Sequence, residues 1–304
     1  MTQLSPHRAR QLRAVLAEAC SRAGLHVDPA EAALLKYVNN AVYQLAEVPV
    51  IVRIGIGGLG RFRAPRIAAV ARWLADRDAP TVRLADGIEN PMFVGQDFSV
   101  TFWQALPHRA EEVPWTGADL ASPLKAVHSL DVSDSDLPRW EPFKAAGARL
   151  AAADPALPAE DLAWLRAQWD QTAEAYRALP PLSIGLVHGD AHPGNLLCPA
   201  VEGTVPVLAD LDSAGVGPVS WDLAVQATDA MRFADNGFYT DFAAAYGREV
   251  TDSPEWAVLS RIRELLLVTS AVPDLSRRPA IAAEHAHRLH TLRTGDPALW
   301  HSYR

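Results

Sequence analysis

The chain has 304 residues, 49 % of them hydrophobic, which is enough apolar material for one large domain or two lobes with real cores and excludes a disordered chain. Its formal net charge is −8, a balance that argues against nonspecific nucleic-acid binding, which needs a basic face, and that is compatible with a cationic small molecule. Two cysteines far apart, Cys20 and Cys198, give neither a disulfide framework nor a CxxC zinc site, and no run of about eighteen apolar residues is present to span a membrane. The expected setting is a reducing, cytoplasmic one, with no nucleic-acid or membrane partner.

In chain order, Ser5 to Gly24 has helical spacing, with Leu12, Val15, Leu16 and Ala19 on one face and Ser5-Pro6 as cap and first turn. Leu34–Val38, Ala41–Leu45 and Val48–Ile54 are short β-rich runs that read as three antiparallel strands. A glycine-rich stretch, Gly55 to Gly60, reads as a flexible link into a helix from Phe62 to Asp76. Thr81–Leu84, Met92–Val94 and Phe98–Phe102 read as further strands. From Gly117 the pattern turns helical: Ala118–Ser129, then a loop dense in Asp, Ser and Pro from Asp131 to Pro142, then Leu157–Leu179. Ile184–Val187, Asn195–Cys198 and Val205–Leu211 read as short strands. From Trp221 onward helices follow, broken at Pro254, Pro273 and Pro279.

The chemistry concentrates in Leu186-Val187-His188-Gly189-Asp190-Ala191-His192-Pro193-Gly194-Asn195-Leu196-Leu197, a polar turn held between apolar runs. Asp210 follows twenty residues after Asp190, at the end of the apolar run Val205–Ala209, with Asp212 and Asp222 beyond it. Phosphoryl transfer asks for these residue types. The transferred group is highly charged and needs a hard cation with oxygen ligands, such as an amide and a carboxylate (Asn195, Asp210). A second carboxylate, Asp190, can orient a hydroxyl and take its proton. A different chemistry uses the same turn: His188, Asp190 and His192 alternate, and on an extended strand they would share one face and could hold zinc as a metallohydrolase does.

The pattern His-Gly-Asp, four residues, Asn, then a strand ending in Asp resembles the aminoglycoside phosphotransferase and choline kinase group, and the resemblance runs over nearly the whole chain. It implies an α+β, two-lobed protein-kinase-like fold: a small β-sheet N-lobe over residues 1–104 that binds nucleotide, and a larger, mainly helical C-lobe over 105–304. It implies ATP (or GTP) as donor, Mg2+, and a small-molecule alcohol as acceptor. By position, Asp190 is the implied base and His188 braces its loop, Asn195 and Asp210 are metal ligands, and Asp222 ties the loop by hydrogen bonds. Asn39 and Asn40 stand in the nucleotide loop, and Gln104 and Leu106 offer backbone groups to the nucleotide base. Two departures stand out. Arg53 occupies the place of the phosphate-contacting Lys, a change that alters the geometry of the donor. No Glu or Asp lies within Arg61–Ala75 to pair with it. These departures motivate the alternative of a nucleotide-binding pseudoenzyme without transfer activity.

Overall fold

The computed structural model describes residues 4–37, 40–106, 114–197, 205–235 and 237–303. They fall into two compact units: Met1–Pro114 with Val132–Pro138 and Pro193–Gly215, and Trp115–Asp131 with Arg139–His192 and Val216–Arg304. Cys198 and Asn39 lie outside the described residues; Cys20 is a buried free thiol. No helix among the described residues is long and apolar enough to cross a membrane.

The first unit is built on a five-stranded antiparallel sheet in the order β1 (Ala33–Tyr37), β2 (Asn40–Gln44), β3 (Val50–Ile56), β5 (Phe98–Gln104) and β4 (Met92–Val94). Side chains alternate across a strand, so Val50, Val52 and Ile54 point to one face and Arg53 to the other. The apolar face, with Val100 and Phe102 of β5, packs on Leu12, Leu16 and Ala19 of helix α1 (Pro6–Arg22), whose start is capped by Ser5. The register pairs Arg53 with Thr101 and Gly55 with Ser99, which fixes what surrounds Arg53 on the opposite face.

The glycine stretch is not a flexible link. Strand β3 runs on to Ile56, and helix α2 (Gly57–Ala75) starts at once, so Gly57, Gly58 and Gly60 form its first turn. The corner is tight: a Cβ on Gly60 would lie 2.7 Å from the carbonyl carbon of Gly55, and Gly57 takes φ +69°. Three other departures from the pattern reading are local. Thr81–Leu84 forms only isolated bridges, Thr81 to Leu208 and Leu84 to Trp103. The strand expected at Asn195–Cys198 starts only at Leu196, in β7 (Leu196–Leu197), because a 3-10 turn takes Pro193–Asn195, and the one at Val205–Leu211 shrinks to β8 (Val207–Leu208), because another takes Leu211–Ser213. Helix α4 (Pro142–Ala151) begins where the acidic loop was expected to end.

The second unit is helical: α3 (Gly117–His128), α4, α5 (Ala159–Arg177), α6 (Ser220–Arg232), α7 (Phe238–Tyr246), α8 (Trp256–Thr269) and α9 (Pro279–Thr294). A two-stranded sheet of β6 (Ile184–Val187) and β9 (Gly215–Pro218) stands beside them. Leu165, Trp221, Ala224, Leu259, Ile262 and Leu265, all fully buried or nearly so, form its core. The α3 N-terminus carries a reciprocal capping box between Thr116 and Asp119. There α3 meets α7 so closely that a Cβ on Gly117 would lie 2.2 Å from the Phe242 nitrogen and 2.3 Å from the Phe238 oxygen.

Gly117→Ala should therefore force the two helices apart at a cost of about 3 kcal/mol, a fall in Tm of roughly 6–12 °C. Gly147→Ala, at an α4 position with nothing within 4 Å, should instead stabilise by about 0.5–1 kcal/mol. Thermal denaturation of the two variants side by side checks both signs.

Candidate active site

Strand β6 delivers the chain into the turn His188–His192, and the turn is held from below by one face of α6. Asp222, Gln226 and Asp229 are spaced i, i+4 and i+7, so they line one side of that helix. The Asp222 carboxylate is fully buried. It accepts the His188 N–H at 2.7 Å, the Gly189 N–H at 2.8 Å and His128 Nε2–H at 2.9 Å. The other His128 nitrogen, Nδ1, then accepts the Tyr246 hydroxyl proton at 2.8 Å. Burial, and then the nearby Asp222 charge, push the Tyr246 pKa up, which keeps it a donor. One residue before Asp222, the Trp221 indole donates to the Gly189 carbonyl at 2.9 Å. One turn further along the helix, the Gln226 amide donates to the Ala191 carbonyl.

The turn is not an extended strand. Strand β6 ends at Val187, Gly189 takes φ +86°, and the buried His188 ring turns back so that its Nδ1 accepts the Asp190 N–H at 3.4 Å. His188, Asp190 and His192 therefore do not share a strand face as a zinc trio requires, and no group of three or more His, Cys, Asp or Glu side chains suited to a metal occurs among the described residues.

Asp190 keeps 44 % of its side chain exposed while its Oδ1 accepts from Arg263 Nη1 at 2.8 Å. Desolvation by the surrounding protein works to raise its pKa. The Arg263 guanidinium, with the charges of His192 and His188, outweighs this and holds the carboxyl below the usual carboxylate range. His192 Nε2 stands 3.9 Å from Asp190 Oδ2; burial chiefly lowers its pKa, against the raising effect of Asp190.

In the first unit, β7 and β8 pair Leu196 with Leu208, and the Ala209 N–H donates to the Asn195 carbonyl at 2.8 Å. This ladder sets Asn195 opposite Ala209 and beside Asp210. Asp210 takes the left-handed conformation (φ 60°, ψ 64°), uncommon outside glycine and tolerated by Asp. Asn195 is buried and the Asp210 side chain is 40 % exposed. An amide oxygen and a carboxylate, one inside and one open, match what a hard divalent cation takes from a protein.

Arg53 is not without an acid. Its two terminal nitrogens donate in a fork to both oxygens of Asp212, and its Nη2 lies 3.8 Å from Asp210 Oδ1. Asn40, with its amide oxygen turned to the guanidinium, accepts from Arg53 Nε at 3.3 Å. Burial pulls the Arg53 pKa down, but the Asp212 hydrogen bonds and charge, with Asp210, more than reverse this. Arg63 of α2 also approaches Asp212, at 3.9 Å. A small cavity of about 50 Å³ opens among Asn40, Arg53, Gly60, Arg63, Thr101 and Asp212.

The Gln104 N–H donates to the Arg83 carbonyl at 2.9 Å, and its side-chain amide to Leu84 O and Asp86 Oδ2, so that N–H is engaged within the sheet unit. Leu106 lies two residues past β5, half-buried.

Sequence reasoning missed the partners: Arg263 for Asp190, Asp229 for Arg263, His128 for Asp222, Asp212 for Arg53. A signal existed for the first two. Ser260, Arg263 and Glu264 at i, i+3 and i+4 interrupt the apolar face of α8 with buried polar groups, which mark a face turned toward charge.

The phosphotransferase enzyme family matches residues 38–265. Among solved structures, a choline/ethanolamine kinase family protein from Mesorhizobium loti superposes with TM-score 0.63 at 18 % identity over 94 % of each chain. A microcompartment-associated aminopropanol kinase gives 0.66 at 18 % identity, over 93 % of this chain and 98 % of its own. A thermostable mutant of aminoglycoside phosphotransferase APH(4)-Ia, in ternary complex with ADP and hygromycin B, gives 0.63 at 15 % identity over 93 % and 99 %. No curated protein sequence matches. The fold is the protein-kinase-like one that the motif resemblance implied.

Asp222→Ala would strand three buried donors. The expected loss is about 3–5 kcal/mol, with Asp222→Asn milder because its oxygen still accepts. Chemical denaturation measures the stability of both. Hydrogen exchange should show the His188 and Gly189 amides losing protection ahead of the rest of the unit.

Proposed function

The chain belongs to the phosphotransferase enzyme family, and from that premise we propose that it is a small-molecule kinase that moves the γ-phosphoryl group of ATP, or of GTP, to an alcohol. The observation that carries this reading is the turn at Asp190. It is a carboxylate left open to solvent, held ionised, on a loop whose backbone is pinned by Asp222, Trp221 and Gln226. Such a group is built to meet a substrate.

In the mechanism, Asp190 accepts a hydrogen bond from the acceptor hydroxyl, aims it at the phosphoryl group, and takes its proton late in transfer. Asp222 and His188 act on the loop and not on substrate. Asn195 Oδ1 and the Asp210 carboxylate are the donors that would hold Mg2+, which when bound neutralises charge on the nucleotide phosphates. Arg53 supplies a fixed guanidinium for the phosphates, aimed by Asp212. The ADP held by the APH(4)-Ia neighbour supports a nucleotide donor. For the base, the Leu106 backbone and the Gln104 carbonyl are the groups this reading uses, with Asn39 and Asn40 in the nucleotide loop. Residues 1–104 then serve the nucleotide, together with Leu106, Asn195 and Asp210, and the rest of 105–304 serves the transfer. Neighbours named for an aminopropanol and for an aminoglycoside acceptor support a small polar alcohol, compatible with a positive charge.

The absence of an acid in Arg61–Ala75 no longer favours a pseudoenzyme, because Asp212 pairs with Arg53 instead.

A screen of MgATP consumption against choline-like alcohols, amino-alcohols, sugars and aminoglycosides should find turnover. Asp190→Asn should reduce it by about 10³-fold while leaving nucleotide affinity in place. Nucleotide binding with no turnover across the panel would overturn the kinase assignment. Arg53→Met should raise the KM for ATP about tenfold, the worth of one charge-assisted hydrogen bond, with a smaller effect on kcat.

A further inference from the structure

Helix α8 buries Leu259, Ile262, Leu265 and Val268 in the core of its unit, and in the same helix it buries an arginine. Arg263 is only 7 % exposed. Removing a guanidinium from water costs several kcal/mol unless its donors are matched. Here they are. Nε and Nη2 clasp both oxygens of Asp229 at 3.0 and 2.8 Å, a bidentate fork, and Nη1 reaches Asp190 Oδ1 at 2.8 Å.

The division of those bonds is informative. The fork to Asp229 would by itself pair the charge. The bond to Asp190 goes to a carboxylate that is 44 % exposed and has water available as an alternative. That bond stabilises the fold little, yet it fixes one oxygen of the one group read as the base. Asp229 sits on the α6 face that also carries Asp222 and Gln226, so the helix that pins the loop backbone also aims the arginine.

We propose, resting on the phosphotransfer reading, that Arg263 is a positioning residue. Through Oδ1 it fixes the Asp190 carboxylate in one orientation toward the acceptor hydroxyl, and Asp229 orients Arg263 for this task. The contribution is to geometry: a carboxylate free to rotate must be recaptured in each turnover, and misplacement by about 1 Å costs on the order of 10²-fold in rate. Nucleotide binding does not pass through this contact.

The test uses the full chain and radiolabelled MgATP, with water as the phosphoryl acceptor so that no acceptor need be known. Wild type should release phosphate, and Asp190→Asn should not. Arg263→Met should lower kcat about 100-fold with the KM for MgATP within about threefold. Arg263→Lys, which keeps charge but loses the fork, should recover part of the loss, and millimolar guanidinium should rescue Arg263→Ala. Asp229→Asn, which leaves side-chain volume unchanged, should lower kcat about tenfold at similar KM, so the proposal stays exposed even if the Arg263 variants fold poorly. A folded Arg263→Met or Asp229→Asn with wild-type kcat overturns the positioning role while leaving the kinase reading intact. If wild type neither releases phosphate to water nor turns over any alcohol of the acceptor panel, with Asp190→Asn no different, both are overturned.

Discussion

The Asp222 carboxylate is wholly buried, and the loop that carries Asp190 follows from how its charge is satisfied. A carboxylate at 0 % exposure must be surrounded by donors. Two of its three are backbone N–H groups of successive residues, His188 and Gly189, so satisfying the charge fixes the peptide planes that precede Asp190. The third is His128, itself anchored by Tyr246. The bonds are charge-assisted, worth about 1.5–3 kcal/mol each in context, and they hold the loop tighter than turn propensity could. Gly189 is needed for the same reason: its φ of +86° lets two consecutive amides converge on one acceptor.

Helix α6 carries this principle further. Its polar stripe is a scaffold for another segment and not a solvent face. Asp222 takes the loop's N–H groups, Gln226 donates to the loop's Ala191 carbonyl, and Asp229 takes Arg263. Each residue compensates a buried group of opposite character, so the stripe adds specificity without leaving a charge unpaired. The neighbouring positions Trp221, Ala224 and Val225 bury apolar area in the core. One helix thus serves as core on one side and as jig on the other.

Much of this was legible in the sequence, and the rest was not, for definite reasons. The three N-terminal strands, the α1 face and the helices after Trp221 follow from hydrophobic period, because burial selects one face of each element. The turn at Asp190 was legible because its residue types are those of a chemistry. The glycine stretch misled because Gly favours both flexible links and close approaches. Only the backbone distance at Gly60 separates the two. The strand at Val205–Leu211 is shorter than its apolar content suggests, because apolar content carries no information on the left-handed turn at Asp210. Ion pairs between distant residues, such as Arg53 with Asp212 across 159 positions, leave no trace in local pattern.

That last pair shows why absence of a motif residue is weak evidence of lost function. An arginine on a strand needs a carboxylate to fix its fork, and the requirement is for a charge at a place, not for a Glu on one helix. Helix α2 has none to offer; its Arg63 instead adds a second positive group near Asp212. The acid comes from the segment that carries Asp210, two residues away. Arg53 and the candidate metal residue are thereby tied to one short stretch of chain. A shift in the 3-10 turn at Leu211–Ser213 would move the Arg53 guanidinium and Asp210 together, so the two groups cannot drift independently.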